Sequence, residues 1–347
     1  MRTLEWDVDH NHLKIIDQRF LPAQLEFLTL DNYKAVAKAI KEMAVRGAPA
    51  IGVAAAFGMA MAGLQSEAKE LDSLKADLKI AANELNQARP TAVNLPWAIQ
   101  RILSHLQEPA IGIEDMKQRI LEEALSMAEE DVHVNLQIAE HCASLIDDGD
   151  TIIHHCNTGA LATVDWGTAL GGIRYAYEQG KQIHILVDET RPRLQGARLT
   201  AWELKQLGIP FDIISDNASG YFLEKGLANK VIFGADRVAR NGDVANKIGS
   251  YMLALAANDN QVPVYSVFPT STIDQSLGCG DKIEIEERDQ SEVLDLQLHN
   301  EQVVPSGVSA RNPAFDVTPN HLISAWVTEK GIVYPPFEKN LQKYTKD

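Results

Sequence analysis

After Gly149 the chain alternates short apolar runs with helical segments, and this alternation restricts the fold more than any other feature. The apolar runs are Thr151–His154, Ile183–Val187, Phe211–Ile214, Lys230–Phe233 and Val262–Val267. The helical segments lie near Gly167–Gln179, Gln195–Leu207, Gly220–Lys225 and Asn246–Asn258. A repeated strand–helix–strand order is typical of a parallel, doubly wound α/β sheet. We predict such a sheet in residues 131–347.

The earlier part of the chain mixes a small antiparallel sheet with helices. The predicted strands are Thr3–Val8, Leu13–Asp17 and Leu25–Leu30, and the predicted helices are Tyr33–Val45, Pro49–Gly63, Ser66–Gln87, Thr91–Gln107 and Glu114–Asp147. We place a domain boundary near residue 130, between a mainly helical N-terminal domain (1–130) and a C-terminal domain (131–347). The most apolar stretch, Ala48–Gly63, is expected to be too short to span a bilayer and to form a buried helix.

Composition and charge exclude several classes of function. The chain has 32 Lys and Arg against 48 Asp and Glu, a net charge of -16, which argues against binding to nucleic acid or to an anionic membrane. A small anionic ligand remains possible because it needs only a few local cations. The 3 cysteines are far apart and form no CxxC pair, and the acidic start has no apolar signal-peptide core. We therefore expect a cytoplasmic protein without disulfides and without a metal site.

The predicted sheet places several polar residues at one crevice. In an open α/β sheet, ligands bind beyond the carboxyl ends of the strands. The segments that follow the predicted strands are Cys156, Glu189–Thr190, Ser215–Asp216, Gly234–Asp236 and Pro269–Thr270. Cys156 and Asp236 are then candidates to face each other. Taken alone, a cysteine such as Cys156 is more often a buried structural residue than a catalytic one. Asp236 has two structural interpretations, as a helix cap or as a partner of Arg240.

Cations recur near predicted helix starts, where the helix dipole is already positive. Arg46 precedes Gly47 and Ala48, and the others are Arg89, Arg191, Arg193 and Lys247. A bound phosphate would make these positions favourable, because helix N–H groups and cations converge on an anion there. The alternative is that each cation is merely solvated. No GxGxxG or GxxxxGK[ST] motif occurs, so neither a dinucleotide nor an ATP site is indicated.

The remaining candidate residues have structural readings. Asn246 is open to interpretation as a helix N-cap. His154 and His155 point to opposite faces of a strand, so they do not readily chelate one metal. We interpret one of the two histidines as a core residue and the other as a neighbour of the site, without a catalytic role.

Taken together, several runs resemble the methylthioribose-1-phosphate isomerase family of the methionine salvage pathway. The matching runs are Arg46–Gly52, Arg89–Leu95, His155–Thr163, Thr190–Arg198, Gly234–Arg237, Asn241–Gly249, Ile285–Arg288 and Asn312–Pro319. They cover nearly the whole chain in the expected order. The resemblance implies a mixed N-terminal domain on a Rossmann-like C-terminal domain, a homodimer, and no metal or organic cofactor.

The resemblance also assigns residues. It implies that Cys156 and Asp236 are the catalytic pair, and that the substrate-binding positions are Arg46, Gly47, Ala48, Arg89, Gln195, Asn246 and Lys247. The implied reaction converts 5-methylthioribose 1-phosphate into 5-methylthioribulose 1-phosphate. We assign Asp236 as the general acid at the ring oxygen, and Cys156 as the base at C2 or the group that stabilises charge there.

Three points stay open at this stage. The hydrogen moves from C2 to C1 either as a proton, through an enediol-like species, or as a hydride. Isomerases of 5-deoxyribose 1-phosphate or ribose 1,5-bisphosphate are close alternatives. The regulatory subunits of translation initiation factor 2B share this fold and act as binding proteins, although the presence of both the thiol and the acid argues against that role here.

Overall fold

The structure is a computed structural model that describes residues 1–89, 94–108 and 111–341. It divides into two compact units. The first contains Met1–Gln137 and Thr158–Gly171, and the second contains Ile138–Asn157 and Gly172–Asp347. A single helix, α5 (Ile113–Ala143), runs through the boundary predicted near residue 130. The division into domains 1–130 and 131–347 stays a prediction.

A small antiparallel sheet opens the first unit. Its strands, in the order β1-β2-β3, are β1 (Leu4–Asp7), β2 (His12–Ile16) and β3 (Phe27–Leu30). In β2, Leu13 and Ile15 are buried and Lys14 between them is exposed, the alternation of a strand with one face on a core. The three predicted strands are confirmed, with ends that differ by one or two residues.

Helices form the rest of the first unit. They are α1 (Tyr33–Lys41), α2 (Ala48–Gln65), α3 (Leu71–Ala88), α4 (Asn94–Ser104) and most of α5. Helix α2 is the centre of the core, and its glycines allow close packing: a Cβ on Gly52 would lie 3.1 Å from the carbonyl oxygen of Asn94. Among the described residues, α2 is long and apolar enough to cross a membrane, so the expectation that it is too short was wrong. Its most apolar window is 78% buried, which confirms the predicted core helix.

The second unit is built on a seven-stranded sheet. The strands are β4 (Thr151–His154), β5 (His184–Asp188), β6 (Phe211–Ile214), β7 (Lys230–Phe233), β10 (Val264–Val267), β15 (Ala325–Thr328) and β16 (Gly331–Val333). Their order is β16-β15-β10-β7-β4-β5-β6, and all pairs are parallel except β15 with β16. The mixed α/β fold with a parallel sheet is confirmed.

The order of this sheet reverses at one point. From β4 the chain adds β5 and β6 on one side, and it then returns to place β7 and β10 on the other side. Strands β4 and β7 are direct neighbours, with His154 opposite Ile232. A reversal of this kind is the switch point at which open α/β sheets bind ligands. It lies at the strand ends that precede Cys156 and Asp236.

A second sheet and short helices complete the unit. The order β11-β8-β9-β14 contains β8 (Arg237–Ala239), β9 (Val244–Lys247), β11 (Ile273–Asp274) and β14 (Phe315–Thr318). A hairpin joins β12 (Gln297–Leu298) to β13 (Glu301–Gln302). The helices are α6 (Ala169–Glu178, shared with the first unit), α7 (Ala201–Leu207), α8 (Ser219–Glu224), α9 (Ser250–Asp259), α10 (Ser291–Leu294) and α11 (Phe337–Leu341).

One predicted helix start is wrong. Asn246 and Lys247 end strand β9 and do not begin a helix, because they pair with Asp316 and Phe315 of β14. Helix α9 begins only at Ser250, after Gly249 with a φ of 106°. Asn246 is therefore not a helix N-cap, and Lys247 does not lie at a helix start.

Candidate active site

Cys156 and Asp236 follow the two neighbouring strands at the switch point. Cys156 comes two residues after the end of β4, and Asp236 comes three residues after the end of β7. The backbone N–H of Asp236 donates to the carbonyl of Ala245 at 2.9 Å, which ties the residue to β9. Strand β8 follows Asp236 directly, so the interpretation of Asp236 as the cap of a following helix was wrong. Arg240 forms an ion pair with Glu338 at 3.0 Å.

Two threonine hydroxyls hold the backbone of Cys156. Its φ of 67° lies in the left-handed region, which costs about 1–3 kcal/mol for a residue other than glycine. The N–H of Cys156 donates to Oγ1 of Thr190 at 2.9 Å, and its carbonyl accepts from Oγ1 of Thr200 at 2.7 Å. Only 6% of Cys156 is exposed. The thiol therefore stands on a strained, restrained and buried turn, an arrangement typical of functional residues.

Asp216 fixes the turn that carries Thr190. Its two carboxylate oxygens accept the backbone N–H groups of Thr190 at 2.6 Å and of Arg191 at 2.7 Å. A π-helical turn, Gly196–Thr200, follows and leads into α7. A Cβ on Gly196 would lie 1.7 Å from the carbonyl oxygen of Asp188, so this turn packs against the end of β5 only with glycine there. Turns of this type often occur at functional sites.

Gln195 directly precedes this π-helical turn and has a buried side chain. The residue is 6% exposed, and its Oε1 atom has no hydrogen-bond partner among the described residues. A buried acceptor without a partner costs about 1–3 kcal/mol. A hydroxyl or ammonium group of a ligand would satisfy it.

Lys247 is the buried cation of the site. Burial lowers its pKa below the ordinary value, while the negative charges of Cys156 and Asp236 oppose that shift. The thiol, the carboxyl and the ammonium group are therefore near enough to interact electrostatically. Nζ also lies 4.8 Å from the centre of the Phe315 ring. Next to Lys247, the Nδ2 group of Asn246 donates to Oγ of Ser250 at 2.8 Å.

A charge cluster lies beyond Lys247. Arg193 and Arg288 both bind one oxygen of Glu292, each at 2.8 Å, and Asn312 donates to the other at 3.1 Å. Burial alone would raise the pKa of Glu292, but Arg193 and Arg288 hold it below its usual range. The charges of Arg288 and Glu292 also act on Lys247.

The first unit carries the other candidate residues. Arg46 and Gly47 precede helix α2, which begins at Ala48, one residue before the predicted start. Gly47 has a φ of 94°, and a Cβ there would lie 2.3 Å from the carbonyl oxygen of Ala162, so only glycine fits. Arg89 lies at the C-terminal end of α3, and the helix start predicted at Thr91 falls outside the described residues.

The two histidines after β4 have different partners. His154 donates from Nδ1 to the carbonyl of Ile232 at 2.8 Å, and burial lowers its pKa to about 4. His155 bonds Asp188 through Nδ1 at 2.7 Å and the carbonyl of Ile248 through Nε2 at 2.9 Å. The sequence analysis did not single out Asp188 or Thr200, which contact His155 and the Cys156 carbonyl respectively. The only sequence signal for Asp188 is its position at the end of β5.

His155, Asp188 and Asp216 also come near one another. Their ligand atoms lie within 4.8 Å, the spacing of a metal site. However, both ring nitrogens of His155 are engaged, and Asp216 accepts two backbone N–H groups. This arrangement fits a hydrogen-bond network better than a set of metal ligands.

Known proteins resemble this chain over its whole length. A model of the Initiation factor 2 subunit family matches residues 44–335. Methylthioribose-1-phosphate isomerase 2 of Pseudothermotoga lettingae is 53% identical over 342 residues, which is 99% of this chain and 97% of the relative. The methylthioribose-1-phosphate isomerase of Thermotoga maritima is 51% identical over 342 residues, with coverage of 99% and 97%.

Solved structures agree with the sequence relatives. The crystal structure of 5-methylthioribose 1-phosphate isomerase from Pyrococcus horikoshii is 41% identical with a TM-score of 0.90, and the match covers 99% of this chain and 95% of that one. A crystal structure described as translation initiation factor eIF-2B, subunit delta, from A. fulgidus is 44% identical with a TM-score of 0.87, covering 99% and 98%.

These matches assign the chain to a protein family and to one group of enzymes within that family. The chain belongs to the Initiation factor 2 subunit family and, within that family, to the methylthioribose-1-phosphate isomerases. The resemblance on which the sequence analysis relied is confirmed.

Proposed function

We propose that this protein converts 5-methylthioribose 1-phosphate into 5-methylthioribulose 1-phosphate in methionine salvage. The observation that carries the proposal is the position of Cys156 and Asp236 at adjacent strand ends of the switch point, where both charges act on buried Lys247. Relatives at 50% identity and above carry the name of this activity. The reaction needs an acid, a base and an anion-binding group, and these three side chains supply them.

Each catalytic group has a defined task in this scheme. The phosphate blocks the anomeric oxygen, so breaking the bond between C1 and the ring oxygen cannot give a free aldehyde as it does in an ordinary aldose. Asp236 gives a proton to the ring oxygen as that bond breaks. The hydrogen at C2 moves to C1, and the C2 hydroxyl gives its proton to the Asp236 carboxylate, which restores the acid as C2 becomes the ketone. Cys156 accepts the proton that leaves C2 in the proton route, or stabilises the charge that develops there in the hydride route.

The other candidate residues bind and orient the substrate. In the first unit, these are Arg46, Gly47, Ala48 and Arg89. The positive end of helix α2 and the adjacent guanidinium of Arg46 suit a phosphate. In the second unit, Lys247 suits an anion, and the unpartnered Oε1 of Gln195 suits a sugar hydroxyl. Asn246 completes this set. Fixing the sugar in a reactive geometry is worth several kcal/mol of the barrier.

Solvent isotope incorporation distinguishes the two routes of hydrogen transfer. The reaction is run in deuterated water, and the product is examined for deuterium at C1. Deuterium at C1 supports the proton route with Cys156 as the base, because an exchangeable proton then enters the product. Its absence, with normal turnover, supports the hydride route.

Turnover assays with three substrates test the function itself. We expect the purified protein to isomerise 5-methylthioribose 1-phosphate with a higher kcat/KM than 5-deoxyribose 1-phosphate or ribose 1,5-bisphosphate. A preference for either alternative would correct the substrate. A binding role is the second candidate, because one solved structure at 44% identity is described as an eIF-2B subunit. Complete lack of turnover with all three sugars would favour that role.

The proposal also covers the domain architecture, the oligomeric state, the location and the cofactor use of the protein. We propose that the C-terminal sheet is a doubly wound, Rossmann-like domain that carries the catalytic pair, beside a smaller mixed N-terminal domain. We also propose a cytoplasmic homodimer that uses no metal or organic cofactor and binds neither nucleic acid nor membrane. The three cysteines, none in a disulfide, suit a reducing compartment.

A further inference from the structure

His155 has two hydrogen-bond partners that both act as acceptors. Nε2 faces the carbonyl oxygen of Ile248 at 2.9 Å, and a carbonyl oxygen only accepts, so Nε2 carries a hydrogen. Nδ1 faces the carboxylate of Asp188 at 2.7 Å. The other oxygen of that carboxylate accepts from Ser219. Burial raises the pKa of Asp188, while its bonds to His155 and Ser219 oppose that shift. With Asp188 ionised, a ring with two N–H groups satisfies both contacts at once, and that ring is the charged imidazolium.

Negative charge surrounds this ring on several sides. The titratable groups that face it are Asp188 at the end of β5, Asp216 after β6, Asp316 on β14 and the neighbouring His154. Burial alone would lower the pKa of His155, but the hydrogen bond and charge of Asp188, with the charge of Asp216, hold it above the ordinary value. His154 has a pKa of about 4 and is neutral at physiological pH. The surroundings therefore favour the cation.

The ring also joins three segments that carry site residues. His155 directly precedes Cys156, Asp188 lies two residues before Thr190, and Ile248 directly follows Lys247. Gly249 fits tightly against the ring: a Cβ there would lie 2.9 Å from Cε1 of His155. His155 itself is fully buried. Its two bonds thus set the spacing between the strand ends that carry the thiol and the lysine.

We propose that His155 is a positioning residue of this enzyme, a charged imidazolium that bridges Asp188 and the Ile248 carbonyl and thereby holds the Cys156 turn in register with Lys247. It does not touch the substrate. Asp188 keeps the ring charged, so the two residues act as one unit. The kinetic part of this proposal rests on the proposed isomerase function.

Nitrogen NMR of the intact protein tests the charge directly. The chain has 10 histidines, which are labelled with 15N. At about pH 8, ordinary histidines are neutral, since their pKa is about 6.5. We expect one ring that still carries a proton on both nitrogens, and we expect its signals to disappear in His155→Gln. An unprotonated Nδ1 in His155 at this pH would contradict the proposal. This measurement needs no variant enzyme to be active.

Asp188→Asn tests the positioning role. Without the carboxylate charge, burial favours the neutral ring, and the charge-assisted bond to position 188 is replaced by a weaker neutral bond from the introduced amide to Nδ1. We expect kcat at about pH 8 to fall about ten- to a hundredfold, the usual cost of a small misplacement of reacting groups. As the pH drops below about 6, the ring regains its proton and much of the lost kcat should return relative to the wild type. A merely structural role would not produce this pH-dependent rescue.

A second histidine–aspartate pair on the same sheet supplies the control. Nε2 of His184 lies 2.9 Å from Asp212, but both side chains are partly exposed. We expect His184→Gln and Asp212→Asn to leave kcat and its pH profile unchanged. Unchanged kcat in a folded Asp188→Asn protein would overturn the positioning role. If the wild type failed to isomerise the sugar at all, the proposed function would fail instead, while the NMR result would still decide the charge of His155.

Discussion

Thr200→Val removes one of the two hydroxyls that hold Cys156, with almost no change in shape. The hydroxyl donates to the carbonyl of Cys156 at 2.7 Å and accepts from the amide of Asn157 at 3.1 Å. Asn157 keeps a second bond, to Glu203 at 2.8 Å, so the main loss is at Cys156. A lost buried hydrogen bond costs about 1–3 kcal/mol. We expect the free energy of unfolding to fall by about that amount.

The same change should reduce activity. The left-handed backbone of Cys156 costs about 1–3 kcal/mol, which is comparable to the bond that restrains it. Once that bond is lost, other conformations of the turn become populated, and each 1.36 kcal/mol corresponds to about a tenfold effect. We expect kcat to fall about tenfold or more, measured at saturating sugar phosphate.

A second buried threonine provides a matched control. Thr200 and Thr318 are both fully buried, but Oγ1 of Thr318 has no hydrogen-bond partner among the described residues. Thr318→Val should therefore preserve activity and keep or raise stability. Unfolding in urea gives the stability of both variants. If Thr200→Val loses about 1–3 kcal/mol of stability yet keeps its kcat, the restraint on Cys156 does not serve catalysis and the reasoning is refuted.

Three further predictions concern other parts of the molecule. Burial raises the pKa of Asp131 to about 7 from an ordinary 3.8. The protonated carboxyl therefore makes its full contribution to the free energy of unfolding below pH 3.8, and this contribution is lost as the pH rises through about 7. Asp131→Asn should flatten this decline in the free energy of unfolding, and an unchanged decline would contradict the assignment. In Gly47→Ala, the new Cβ would lie 2.3 Å from the carbonyl oxygen of Ala162 and should lower the free energy of unfolding by about 3 kcal/mol or more. Gly63→Ala is the control: its Cβ would have its nearest neighbour at 3.7 Å, so this change should not lower the Tm. Lys247→Met should raise the KM for the sugar phosphate about tenfold or more, because it removes the buried ammonium group that attracts the phosphate; an unchanged KM would exclude Lys247 from binding.

The sequence predicts the central strands well because their signal is local. Strands β4, β6 and β7 begin and end at the predicted residues, since each is a short run rich in β-branched and apolar side chains with polar neighbours. Strand β9 was missed for the opposite reason. Only Val244 and Ala245 pair with the nearby strand β8, whereas all four residues of β9 pair with β14, about 70 residues further along the chain, and no local pattern encodes that pairing.

The candidate site, too, could be predicted only in part from the sequence. The order of strands and helices is enough to predict that Cys156 and Asp236 follow strands at one edge of the sheet. The roles of Thr200 and Asp188 depend on contacts between separate elements and on a left-handed backbone at Cys156, which a single sequence does not reveal. Arg46 lies beside a helix start as predicted, but Lys247 ends a strand and does not lie at a helix start.

Substitution of Cys156 and Asp236, the proposed catalytic pair, tests the central claim most directly. Cys156→Ser and Asp236→Asn should each lower kcat for 5-methylthioribose 1-phosphate by a factor of about 100 or more, while the folded state persists. Cys279→Ser and Asp212→Asn are the matched controls, because neither residue follows a strand at the switch point, and both should keep full activity. Near-normal turnover in either Cys156→Ser or Asp236→Asn would contradict the account.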